Sequence, residues 1–456
     1  MRHTRGRLLA GVVVIAALAA GCGDDDGGGA SDDGASGTLR VPEDYETIQA
    51  AVDAAAPGSL ILIAPGVYEE EVNVSTDDLT LRGLDRDEVV LEGNFELENG
   101  VRVLEADGVV VENMTAQNYT GNGFFWTGVD GYRGSYLTAI RNGDYGVYAF
   151  GSVNGVFEHS YGSGSPDAGV YIGQCYPCNA LIDDFTSEWN GLGYSGTNSG
   201  GNLVIVNSVF RENRLGIGPN SGSYEGCYPE RETTIVGNHV YDNGNPGTDA
   251  IDAALVGNGN GILVGGGIGN VIERNLVEDH PVAGIAVVPL PEDDPIAGIP
   301  DEADRPVDCV EDAVAAPDDV IATLDNPLLW PSIDNRIVDN VVSGSGEWDL
   351  VLLTLDGEGQ GNCFAGNQLP AGAVTAPPAI EEVLPCDGAQ QSYQPEIARF
   401  LELVEADQPP PVDYREVELP DPGELEGMPD PENASVEPAR GPREVDLATI
   451  TVPDGS

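Results

Sequence analysis

The chain has 456 residues and a formal net charge of −58, from 77 acidic residues against 19 basic ones that are all arginine. This balance argues against nucleic acid and anionic surfaces as partners, because phosphate binding needs a basic stripe. Such acidity suits an exported protein kept soluble by self-repulsion, with cations such as Ca2+ as counter-ions, and the length is ample for a long repeat array with tails.

Residues 1–21 have the make-up of an export signal: Arg2, Arg5 and Arg7, an apolar core from Leu8 to Ala20, and small residues before a cysteine in Leu18-Ala-Ala-Gly-Cys22. The core is too short to span a bilayer comfortably. The order is similar to that of bacterial lipoprotein signals. The resemblance implies cleavage before Cys22 and lipidation of its thiol, which places the protein on the extracytoplasmic face of a cell membrane; the competing reading is an ordinary secretory signal. Residues 22–37, rich in Gly and Asp, predict a flexible acidic tether.

Residues 38–93 open the folded part. Ile48, Ala51, Val52 and Ala55 fall on one helical face, and Pro57-Gly58 ends that helix. The helix is expected to cover the exposed edge of the first coil. Leu60-Ile-Leu-Ile63, Val72–Val74 and Leu79–Leu81 are the first strands.

From residue 121 a period appears. Phe125, Tyr148, Tyr171 and Tyr194 stand 23 residues apart, each in a short strand-like run with glycine, such as Gly146-Val-Tyr-Ala-Phe150 and Gly169-Val-Tyr-Ile172. A period of this size built from strands and Gly turns predicts an all-β solenoid over residues 38–370, a parallel β-helix with one coil per period. Asn113, Asn207, Asn238, Asn275 and Asn340 each lie between two β-rich stretches. An Asn repeated at one turn stacks into a ladder of amide hydrogen bonds; His159 and Asp184 are read into the same slot.

This ladder and strand pattern resembles right-handed parallel β-helix proteins, the group that includes pectate lyases, polygalacturonases and pectin methylesterases. The resemblance implies a right-handed winding and, by fold analogy alone, an extracellular polysaccharide as partner. The Asp-Phe-Ile-Phe-Gly-type stretch of the esterases and the Gly-His-Gly stretch of the polygalacturonases are absent.

Alternation assigns the faces. Val147, Ala149, Val170 and Ile172 point inward; Phe125, Tyr148 and Tyr171 point outward, and Tyr194 joins them in period although Leu192 shares its face. An outward aromatic row is a sugar-stacking strip, or a staple between coils. Asp144, Asp167, Asn190 and Asn213 form a second row at the same interval. Two carboxylates on adjacent coils can share a proton, hold Ca2+ or serve a retaining glycosidase, whereas turn-capping Asp and Asn do none of these. Asp144 and Asp167 are therefore the catalytic candidates. Arg141, Arg211 and Arg214 flank that edge as partners for a uronate carboxylate; the family resemblance makes an Arg base possible, for which Arg141 is the candidate, and the plainer reading is solvated ion pairs. His159 and Asp184 form either a structural pair or a general base with its orienting acid.

Beyond Cys22 there are six cysteines, Cys175, Cys178, Cys227, Cys309, Cys363 and Cys386, an even set that suggests bridges in an exported chain. Residues 289–334 break the period as a loop rich in Pro and acids, and residues 371–456 form an acidic tail holding most of the 15 prolines found from Pro370 onward. The sequence therefore supports a membrane-anchored β-helix that binds, and by extension cleaves or modifies, an extracellular polysaccharide. The alternative is a non-catalytic surface scaffold or adhesion protein.

Overall fold

The computed structural model describes residues 36–222, 224–251, 253–292, 328–404, 406 and 408–455. The export signal, Cys22, most of the tether, Cys309 and much of the 289–334 loop lie outside the described residues. Two parallel sheets, of 18 and 11 strands, wind together into a right-handed solenoid. Phe125, Tyr148 and Tyr171 stand in direct register on three consecutive coils. Val, Ile, Leu and Phe from both sheets fill the interior, with Trp126, Tyr132 and Phe157 packed at ring distances of 5.3–6.2 Å.

The 18-stranded sheet bends at one corner of every coil. Asn113, Tyr136, His159, Asp184, Asn207, Arg274 and Asp339 occupy this corner with φ between 50° and 59°. Left-handed backbone is costly for most side chains, and Asn and Asp bear it best. The residue after the corner turns inward, and it is here that the asparagine ladder runs. Ser208 donates its N–H to the Asn238 Oδ1 at 3.0 Å, Asn238 to Asn275 at 3.0 Å, Asn275 to Asn340 at 3.0 Å and Asn340 to Asn367 at 3.1 Å. The Glu381 carboxylate closes the series by accepting from Asn367.

Asn238, Asn275 and Asn340 are thus rungs. Asn113 and Asn207, expected in the same ladder, sit one residue earlier at the left-handed corner, and so do His159 and Asp184. The sequence motif admits either slot, and a slip of one residue turns the side chain from interior to surface. Two further ladders, unread in the sequence, occupy other corners. In one, Asn190 donates to Asn213 and Asn213 to Asn243; in the other, Asn270 donates to Asn335 and Asn335 to Asn362.

At the N-terminal end, helix α1 (Ile48–Ala54) is capped by the Thr47 hydroxyl and turns Ile48, Ala51 and Val52 into the core. The Glu70 carboxylate accepts the N–H groups of Ile48 and Gln49 at 3.0 and 2.9 Å. Helix α2 (Ala253–Val256) rides on an excursion between coils. Bridges join Cys175 to Cys178 and Cys363 to Cys386, and Cys227 is also disulfide-bonded.

The C-terminal stretch 408–455 has little regular structure, yet it lies along the coils as a strap. Arginines on the solenoid donate to its carbonyl oxygens: Arg214 to Pro409 at 2.7 Å, Arg141 to Val417 at 2.7 Å, Arg86 to Glu426 at 2.7 Å, and Arg82 to Ala434 at 2.9 Å and Ser435 at 2.7 Å. Arg82 is itself buried and paired with the Glu112 carboxylate at 2.6 Å. Farther on, Val445, Leu447 and Ile450 pack over Val156, Leu181, Val206 and Val236.

Candidate functional site

The 11-stranded sheet carries a row of glycines that explains why each aromatic run contains one. A Cβ at Gly146 would stand 2.6 Å from the Gly169 carbonyl oxygen, and a Cβ at Gly216 would stand 2.4 Å from that of Gly261. Neighbouring coils approach too closely there for any side chain. These glycines also interrupt the in–out alternation. Tyr145, Ala168, Leu192 and Leu215, just before them, pack in a cluster outside the solenoid, whereas Val147, Val170, Tyr194 and Ile217, just after, belong to the core.

That break corrects the expectation for Tyr194. It pairs with Val170 rather than with Tyr171, because the coil from 168 to 192 is one residue longer than its predecessor, and it is fully buried. The place beside Tyr171 is taken by Ser195. The outer row therefore reads Phe125, Tyr148, Tyr171, Ser195, Gly218, Leu263, Ala286, Val351: aromatic at one end, small in the middle, aliphatic at the other.

Over this face lies a groove of about 1150 Å³. It crosses the seven strands from Tyr145–Phe150 to Trp348–Leu352, about 29 Å at the usual inter-strand spacing. Its walls come from the loop carrying Tyr224 and Glu225, from Ile251 and α2, from Leu290 and Pro291, and from Gln408 and Pro409 of the strap. Arg214 fixes two of these walls at once, donating to Thr248 at 2.8 Å as well as to the strap.

The aromatic end is compact. Ring centroids lie 4.8 Å apart for Phe125 and Tyr148, 4.7 Å for Tyr148 and Tyr171, and 4.3 Å for Tyr145 and Tyr148, the last pair stacked. Phe125 and Tyr148 are half-buried; Tyr171 is covered, and its hydroxyl is held by Glu225. The Arg102 guanidinium lies 5.8 Å from the Phe125 ring, beyond the groove. Asp144 and Asp167 both line the groove, and the Tyr145 hydroxyl donates to Asp167 at 2.7 Å. Burial pushes the Glu225 carboxyl up to about 8, with the Tyr171 hydrogen bond pulling the other way and the Asp167 charge adding to the rise. Burial, and then the charges of Glu225, Asp144 and Asp167, hold the Tyr148 phenol above its ordinary value.

The arginines expected at this edge are elsewhere. Arg141 is turned to the strap, Arg214 is buried beneath it, and Arg211 pairs with Glu188 at 2.5 Å and takes the Tyr241 hydroxyl at 2.7 Å. None lines the groove. Asn190 and Asn213, which share the interval of Asp144 and Asp167, are ladder rungs in the interior. His159 Nδ1 and Asp184 Oδ2 do meet, at 2.6 Å, with the imidazole stacked on Tyr136, but on the surface of the other sheet. Among the described residues no three His, Cys, Asp or Glu side chains converge as a metal site requires, and no helix is long and apolar enough to cross a membrane.

Residues 122–289 match the family model of the right handed beta helix region. No curated protein matches the sequence. Solved β-helix structures align over much of the chain. They include the A-module of the mannuronan C-5 epimerase AlgE6 of Azotobacter vinelandii (16% identity, TM-score 0.43, 73% of this chain and 94% of that one). An alginate lyase of a Paenibacillus species aligns at 17% identity and TM-score 0.40, over 55% of this chain and 91% of that one. A mannuronic acid specific polysaccharide family 6 lyase from human gut microbiota aligns at 11% identity and TM-score 0.41, over 73% and 83%. All three TM-scores are below 0.5.

Three residues of this β-helix site escaped the sequence pattern. Tyr145 was hidden because the alternation resets at Gly146. Glu225 sits in a loop with no repeat partner. Arg102 precedes the periodic stretch, although its pairing with Phe125 puts it on the same row.

Proposed function

We propose that the aromatic end of the groove binds sugar rings of an extracellular polysaccharide, with Phe125 and Tyr148 as the stacking surface. The observation that carries this reading is the in-register ring row at coil spacing, of which Tyr148 lines a groove edged by hydrogen-bonding groups. Carbohydrate pockets combine an apolar face with a few placed polar groups. Asp144, Asp167 and Glu225 are hydrogen-bonding groups at this end of the groove. Arg102, beyond Phe125, is where an acidic sugar on the same row meets a cation.

The same end supplies a carboxyl that holds its proton near neutral pH beside other carboxyls, the residue types that glycosidic hydrolysis uses. Membrane anchoring through Cys22 belongs to the same proposal and rests on the Leu18-to-Cys22 order alone.

The test is retention on a panel of neutral and uronate glycans, with product analysis. Retention of a glycan that falls at least ten-fold in Tyr148→Ala supports the reading, and new reducing ends lost in Glu225→Gln extend it to hydrolysis. Retention by no glycan, or retention indifferent to Tyr148→Ala, leaves the scaffold reading instead.

A further inference from the structure

The ring row has a polar head that the fold leaves unused. Asn73 and Arg102 stand in register before Phe125 and Tyr148, on four consecutive coils of the 11-stranded sheet. Asn73 is exposed; Gln49 holds its backbone N–H and carbonyl, and its side-chain amide bonds nothing among the described residues. Arg102 is half-buried, with its guanidinium carbon 5.8 Å from the Phe125 ring centroid. Its Nε is shielded from water without a hydrogen-bond partner, and no carboxylate pairs with it among the described residues.

That isolation is unusual in this chain, where acids outnumber arginines 77 to 19. The arginines that serve the fold are engaged: Arg82, Arg133 and Arg211 hold carboxylates, and Arg86, Arg141 and Arg214 hold carbonyl oxygens. Arg336 is the other described arginine whose side chain has neither kind of partner, and it is exposed. A half-buried cation left unpaired lowers stability, and an anion supplied by a ligand offsets that loss.

We infer that Arg102 is the specificity-determining residue of this row: it binds an oxyanion substituent, carboxylate or sulfate, on the sugar unit next to the one stacked on Phe125. The inference deepens the carbohydrate reading and rests on it for the rings. A guanidinium lying against an aromatic ring keeps its outer edge for a two-oxygen contact. The Asn73 amide, one coil farther out, adds a donor for the same group. Arg102 stands two coils, about 10 Å, before Tyr148 and outside the groove. The charged unit therefore sits at the outer end of the row, and the units that follow it run over the rings toward the groove.

The experiment measures retention of the full chain on immobilised glycans, each backbone supplied in neutral, C6-carboxylate and C6-sulfate forms. At least one charged form is expected to bind ten-fold or more tightly than its neutral parent, with a preference that shrinks as salt rises. Arg102→Met, which keeps an apolar stem against Phe125, is expected to remove about ten-fold or more of that preference, and Arg102→Lys to restore part of it. Circular dichroism checks the fold of both variants. A preference for the carboxylate alone or the sulfate alone identifies the oxyanion. An arginine that serves only the fold would lower retention of all three forms alike and leave their ratio unchanged. Equal binding of charged and neutral forms, or a ratio untouched by Arg102→Met, overturns the inference; retention that still falls in Tyr148→Ala then leaves the carbohydrate reading standing. Retention of no glycan overturns both.

Discussion

The Tyr171 hydroxyl donates to both carboxylate oxygens of Glu225, at 2.9 and 2.7 Å, and so ties a coil to a loop 54 residues farther along the chain. This bond sets the depth of the groove at its aromatic end, because it holds the Glu225 loop down over the third ring of the row. Tyr171→Phe keeps the ring and removes the bond. The loss is expected to cost about 1–2 kcal/mol of stability. Since the bond favours the charged carboxylate, its removal should also raise the Glu225 titration midpoint above about 8. Side-chain carbon NMR of Glu225 in the two proteins measures the change.

Glu230 makes stability depend on pH. It is fully buried, accepting from the Thr233 hydroxyl at 2.9 Å and the Asn270 amide at 2.8 Å, and burial pushes its carboxyl up to about 8. An unfolded chain releases this proton at about pH 4.3. Between those two values the folded protein holds a proton that the unfolded chain does not, so this contribution is intact in acid and declines as pH rises through the window. Buried His280, pushed down to about 4, acts in the opposite sense: its contribution is present above the ordinary histidine value and is lost as pH falls toward 4. Thermal melts of Glu230→Gln should be flatter than those of the parent between pH 5 and 8, with the largest gain at the alkaline end.

Ladder and corner asparagines should respond differently to loss of the side chain. Asn275 accepts from the backbone and amide of Asn238 and donates to Asn340 and to the Ile235 carbonyl, all inside the solenoid. Asn275→Ala orphans several buried groups and is expected to cost about 3–4 kcal/mol. Asn207 is exposed, with φ 51° and a side-chain bond to Asp183 at 2.9 Å. Asn207→Gly suits the left-handed backbone and should change stability by less than about 1 kcal/mol. Urea denaturation of both variants checks the contrast.

Those asparagines also show what the sequence revealed and what it concealed. The period, the aromatic register from Phe125 to Tyr171 and the ladder rungs Asn238, Asn275 and Asn340 were legible, because stacking on the preceding coil imposes the same residue at the same place; Asn113 and Asn207 carry the same motif one residue out of the ladder. Tyr194 was misplaced because one extra residue in a coil moves a side chain from surface to interior, and a fixed interval does not register that slip. The walls were illegible for a related reason. Glu225, Ile251 and Gln408 come from excursions that obey no period, and nothing in the repeat says which face an excursion covers. Arg141 and Arg214 read as substrate partners because a strap without helical or strand periodicity left no trace of the contacts it makes with them.

Arg82 offers a direct test of that strap. Its guanidinium is buried between the Glu112 carboxylate and the carbonyls of Ala434 and Ser435. Arg82→Met leaves Glu112 buried without its counter-ion and is expected to destabilise the protein by about 3–5 kcal/mol. Limited proteolysis should cut near residues 431–435 in the variant at protease levels that spare the parent.

A solenoid whose turns touch only their immediate neighbours melts from its ends, because each unit answers just to the next one. Here the residues bound by the returning C-terminal segment, from Arg82 through Arg141 to Arg214, belong to turns far apart along the rod. Fraying at one terminus must then strip a cord fastened at the middle, so unfolding becomes a concerted event instead of a gradual unwinding.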